Sequence, residues 1–84
     1  ALAENDAQSA LEFADNALVI AEELNNRDGL GVILTERAHA LLALGQADEA
    51  SSVIERAIEL LEEADSGERW RAYWTKAQIL HRQN

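Results

Sequence analysis

The sequence predicts an all-α protein of about four antiparallel helices, arranged as helix–turn–helix repeats. Composition is the first reason: alanine and leucine dominate and proline is absent, which favours helix almost throughout. The second is periodicity, because apolar residues recur at i, i+3, i+4 and i+7 in four segments separated by polar or glycine-containing turns. The third is internal similarity at a shift of 39–40 residues, argued below.

In the first helix, expected over residues 6–25, the stripe is Ala7, Ala10, Leu11, Ala14, Ala17, Leu18, Ala21 and Leu24. Asn5 with Gln8 three residues on has the form of a capping box. Residues 25–29 are polar and turn-forming, so the helix should stop there. The pair Gly29 and Gly31 is expected to ease that turn into the second helix, over 29–44, whose stripe is Leu30, Ile33, Leu34, Ala38, Leu41 and Leu42. Gly45 supplies the left-handed residue that closes it. A third helix is expected over 47–64, with Ala50, Val53, Ile54, Ala57, Ile58, Leu61 and Ala64 inward and Glu55, Glu59, Glu62 and Glu63 outward. Asp65 and Glu68 form a second capping-box pattern that opens a fourth helix over 67–82. That helix carries Trp70, Tyr73, Trp74, Ala77 and Leu80 on one side, and three of the four aromatics of the chain.

Slid by 40 residues, Ala10 falls on Ala50, Ala14 on Ile54 and Ala17 on Ala57, so helix one is the equivalent of helix three. Slid by 39, Arg37 falls on Lys76, Ala38 on Ala77 and Leu41 on Leu80, so helix two is the equivalent of helix four. The chain then reads as a half-repeat (1–28), a full hairpin (29–64) and a second half-repeat (65–84). Such units stack because no single hairpin buries its apolar face alone.

Residues 37–57 carry the most specific pattern: Ala38, Leu41, Gly45, Ala50, Ile54 and Ala57. In this spacing of small and large residues across a turn, the chain resembles the tetratricopeptide repeat (TPR), the helical hairpin of α-solenoids. It departs from the family in a period longer than the usual value of about 34. It also has Arg37 where leucine is usual, and Glu62 near the place of a closing proline. The long period and the connectors at 25–31 and 65–70 are similar to those of bacterial regulators of the LuxR/MalT type and related signalling ATPases. Paired HEAT-type helices, with a period of about 40–47, are the structural alternative.

The net charge of −9 is unevenly placed. Residues 1–68 hold all sixteen acids against three arginines, whereas residues 69–84 hold Arg69, Arg71, Lys76 and Arg82 and no acid. So acidic a chain argues against a nucleic-acid partner, since phosphate binding needs a basic surface. Either the acids are a solvated face that keeps the helices soluble, or the basic last helix docks on them or recruits an acidic partner. Cysteine is absent, which removes disulfides and thiolate metal sites. No apolar run spans a bilayer and no secretory leader is apparent. A cytoplasmic segment of a longer protein is the expectation.

Catalysis finds no support. Gly29 and Gly31 lack the strand context of a dinucleotide fingerprint. Ser51 and Ser52 sit within a helix without a triad pattern, and solvated carboxylates are poor acid–base catalysts at neutral pH. Neither His39 nor His81 has a second histidine one turn on, so no metal site is expected. The expectation is a binding protein with no cofactor and no catalytic residue.

The TPR resemblance implies that the second and fourth helices line a concave groove for an extended peptide or a partner helix. One wall would be Val32, Thr35, His39, Leu42 and Ala43; the other would be Arg71, Trp74, Gln78, His81 and Arg82. The family's carboxylate-clamp specificity is not implied, because Thr35, His39 and Ala43 stand at the clamp positions. Trp70, Tyr73 and Trp74 either pack helix four on helix three or anchor a partner, aromatics being enriched at interface hot spots. An alternative function is self-assembly. Helix four lacks a following helix, and Trp70, Tyr73, Trp74, Ile79 and Leu80 would make an open end that pairs as a homodimer, two-fold closure being the commoner outcome.

Overall fold

A computed structural model describes residues 4–83. Among these the chain forms four helices and no strand: α1 (Glu4–Glu23), α2 (Arg27–Ala43), α3 (Ala47–Glu63) and α4 (Arg69–Gln83). The all-α hairpin architecture is as expected. Several boundaries are not. Asn5 lies inside α1 rather than capping it, so the Asn5–Gln8 pattern is not a capping box. α2 is capped by Asn26, whose Oδ1 accepts the Gly29 N–H at 3.0 Å, so this helix begins before the glycines. At the start of α4 it is Ser66, not Asp65, whose side chain takes a free amide, that of Glu68 at 3.0 Å.

The three turns share one geometry. Asn25, Gly45 and Asp65 adopt positive φ of 54°, 81° and 51°. In each turn the following amide reaches back to the last helical turn: Asn26 to Ala21, Gln46 to Leu41, and Ser66 to Leu61, all at 2.9 Å. This is the paired carbonyl closure of a Schellman motif, tolerated by Asn and Asp as well as by Gly. Asn25 and Asp65 stand 40 residues apart, so the turns keep the same repeat as the helices.

Each helix touches the next in the chain, and α2 also touches α4. Contacts of α1 with α3 or α4 are absent among the described residues, so the helices stack in series rather than closing into a bundle. One core joins Ala38, Leu41 and Leu42 of α2, Ala50, Ile54, Ala57 and Leu61 of α3, and Ala72 and Ile79 of α4. At its tightest point a Cβ on Gly31 would sit 2.5 Å from Leu61 Cγ and 3.3 Å from the Ala57 carbonyl oxygen. Gly31 is thus a packing residue inside α2, not the turn-easing residue the sequence suggests. α1 packs only on α2, through Ala7, Ala14 and Ala21, spaced seven apart and all buried. Ala64 and Leu24 lie outside the core: both are exposed at helix ends.

The outward acids of α3 have work across helix boundaries. Glu55 pairs with Lys76 at 2.7 Å, Glu63 with Arg27, and Glu62 accepts the Tyr73 hydroxyl hydrogen. Arg37 of α2 reaches Asp15 of α1. Two of these bridges are equivalents: Arg37 and Lys76 stand 39 apart, Asp15 and Glu55 stand 40 apart. The α1–α2 and α3–α4 pairs therefore meet through corresponding faces.

Candidate partner-binding groove

The side chains that line α2 and α4 on their shared side form an open cleft. Its upper hollow, of about 210 Å³, is bounded by Thr35, Glu36, His39, Trp70, Arg71, Trp74 and Thr75. Its lower hollow, of about 540 Å³, is bounded by His39, Leu42, Ala43, Trp74, Ala77, Gln78, His81 and Arg82. His39 and Trp74 belong to both, so they form the waist between two connected compartments. Helical spacing explains the arrangement. Thr35, His39 and Leu42 follow at i, i+4 and i+7 on α2, and Arg71, Trp74, Gln78 and Arg82 at i, i+3, i+7 and i+11 on α4.

Of the ten groove residues read from the sequence, the structure brings nine to this cleft. Val32 is the exception: it is half-buried and packs against the core. Thr35 and Leu42 are buried and form the floor, with the Thr35 hydroxyl donating to the Gly31 carbonyl at 2.9 Å. Glu36, Thr75, Trp70 and Ala77 also line it, though the sequence reading left them out of the groove. Glu36 could have been found, because it lies one turn before His39 on the same side of α2.

Charge is not uniform along the cleft. Arg71 lies 3.5 Å from Glu36 and 3.3 Å from Glu68, and its guanidinium stands 5.7 Å from the Trp70 ring centroid. It is held in place by the chain's own acids. Arg82, at the other end, has no carboxylate partner among the described residues. Between them, Gln78 Oε1 is buried without a hydrogen-bond partner among those residues. A buried acceptor left without a partner in this way is uncommon.

The aromatic cluster does not pack α4 on α3 as a core would. Trp70 and Trp74 are 64% and 58% exposed, and Tyr73 is half-exposed with its hydroxyl on Glu62. That carboxylate, as hydrogen-bond acceptor, holds the Tyr73 phenol above its ordinary value, with desolvation and the Glu62 charge adding to the rise. Ile79 corrects the self-association set. At 1% exposure it belongs to the core beside Ala72, on the opposite side of α4 from Trp70. Trp70, Tyr73, Trp74 and Leu80 remain on the uncovered side.

No cluster of three or more metal-ligating side chains occurs among the described residues, and no helix there is long and apolar enough to cross a membrane. Comparison with family models, curated proteins and solved structures finds no match for this chain.

Proposed function

We propose that this chain is a protein-interaction segment, TPR-like in its hairpins, whose α2–α4 cleft takes an extended acidic–apolar peptide or helix from a partner protein. The observation that carries this reading is the cleft itself. It is an aromatic, partly basic channel on a chain whose remaining surface is acidic. Trp74 at the waist offers a flat apolar anchor, and Arg82 attracts a carboxylate. Aromatic and arginine anchors of this kind dominate interface energetics. In this proposal the segment belongs to a larger cytoplasmic regulatory protein, a reading supported by the resemblance of its connectors to those of bacterial regulators, and acts there as a scaffold without catalysis or cofactor.

Amide chemical-shift mapping with a peptide alternating acidic and large apolar residues tests the reading. Saturable shifts should centre on His39, Trp74, Gln78 and Arg82, fade with added salt, and weaken at least tenfold in Trp74→Ala. Shifts centred on Glu55, Glu59 and Glu62 instead would move the site to the opposite face. No saturable shift with any acidic–apolar peptide would end the proposal.

A further inference from the structure

The two hollows of the cleft differ in charge. The lower one carries Arg82 among apolar groups, histidines and Gln78, and its lining among the described residues has no carboxylate. The upper one holds Glu36 and Arg71 on facing walls, 3.5 Å apart. Among the described residues this is the only ion pair between α2 and α4; the other bridges between helices join α1 to α2, α2 to α3 and α3 to α4. Glu68, 3.3 Å from Arg71 Nε, supplies a second carboxylate, and the guanidinium stands 5.7 Å from the Trp70 ring centroid. Two carboxylates on one guanidinium leave this group with a net negative charge. Arg82 also borders Asp48 and Glu49 on its far flank, yet it pairs with neither.

We infer that Glu36 decides what each hollow accepts. By holding Arg71 it closes the upper hollow to acids, so a bound peptide places an apolar residue there and its carboxylate in the lower hollow. This rests on the peptide reading of the cleft and deepens it, since that reading leaves open which part of the ligand enters which hollow. A ligand carboxylate entering the upper hollow would have to displace Glu36 from Arg71 and then stand beside it, like charge against like. An uncharged side chain meets no such penalty, and Trp70 and Trp74, both exposed, offer it flat apolar surface. In the lower hollow the balance is reversed, because Arg82 meets a carboxylate without first releasing one. The Glu36 charge does not reach that far. Arg71 and Arg82 are eleven residues apart on α4, ~16 Å at the helical rise, beyond the screening length of ~10 Å at ~0.1 M salt. The same span is about five residues of extended peptide, which sets the spacing of the ligand's apolar and acidic side chains.

Two blocked peptides test it, one carrying leucine and aspartate at that spacing and one carrying aspartate at both places, each made in both sequence orders. Affinities are read by amide-shift titration of the full chain at ~0.1 M salt, where only nearby charges are felt. The wild type should prefer the leucine–aspartate peptide. Glu36→Gln should strengthen the two-aspartate peptide ~fivefold, the scale of one exposed ion pair, and leave the other unchanged. Glu36→Asp, which keeps the charge, should keep the preference, and Arg71→Gln added to Glu36→Gln should abolish the gain. Glu36 and Arg71 are both exposed, so circular dichroism should show the same helicity in every variant. Equal strengthening of both peptides by Glu36→Gln would overturn the inference, because the effect would then be one of overall charge. So would no strengthening of either, or a wild type that takes both peptides alike. In those outcomes the cleft still binds and only the assignment of its hollows fails. Absence of saturable shifts with either peptide ends the cleft reading, and this inference with it.

Discussion

α2 and α4 carry the same pattern, 39 residues apart, and meet very different surroundings. Arg37 and Lys76 each bridge to an acid on the preceding helix. Ala38 and Leu41 of α2 are then sealed by α3, while Ala77 and Leu80 of α4 lie open, with Leu41 at 2% exposure and Leu80 at 47%. α2 touches all three other helices, and its apolar residues accordingly spread around most of its circumference, as a surrounded helix needs. α4 touches two, and only Ala72, Thr75 and Ile79 on it are buried. Burial in this architecture is conferred by neighbours. An apolar stripe states that a helix has a face to cover, and it does not state that the face is covered.

The largest test of that contrast truncates the paired leucines. Leu41→Ala should cost about 2–5 kcal/mol, the usual range for a core leucine. Leu80→Ala should stay within about 0.5 kcal/mol, as exposed positions do. Urea unfolding of both variants measures the gap, and equal losses would mean that α4 is covered in the isolated chain. A smaller effect is expected at the glycine that lets α3 approach. Gly31→Ala would ordinarily gain about 1 kcal/mol in helix propensity. Here the added methyl meets Leu61 Cγ, so a net loss of about 1–3 kcal/mol from overpacking should appear in thermal melts. A stabilised Gly31→Ala would show that α2 and α3 do not pack at the described distance.

The smallest effect concerns the polar seam between α3 and α4. The only tyrosine of the chain makes its titration readable by ultraviolet absorbance. Its folded value is raised, chiefly because the phenol donates to the Glu62 carboxylate. The bond therefore contributes stability below the ordinary tyrosine value of about 10 and loses it as pH rises through the higher folded value. Glu62→Gln should bring the tyrosinate midpoint down. An unmoved midpoint would detach Tyr73 from Glu62.

Helix number, order and type were legible because the alanine- and leucine-rich stripes, the missing proline and the Gly45 stop all act locally. The side of α2 and α4 that forms the cleft was legible for the same reason: helical spacing alone brings His39 and Leu42 onto one line, and Trp74 and Gln78 onto another. What sequence reasoning missed depended on partners. Gly31 looks like a turn residue until Leu61 is seen against it, and Asn5 looks like a cap until the first described helix is seen to include it. Ile79 and Leu80 are adjacent and similarly apolar, and nothing in the chain's order says which is core; the position of α3 buries one and leaves the other open. By itself the sequence determined the helices and the faces they present, since both follow from spacing along one chain. Only the tertiary structure decided which faces meet, because that depends on where the next helix lies.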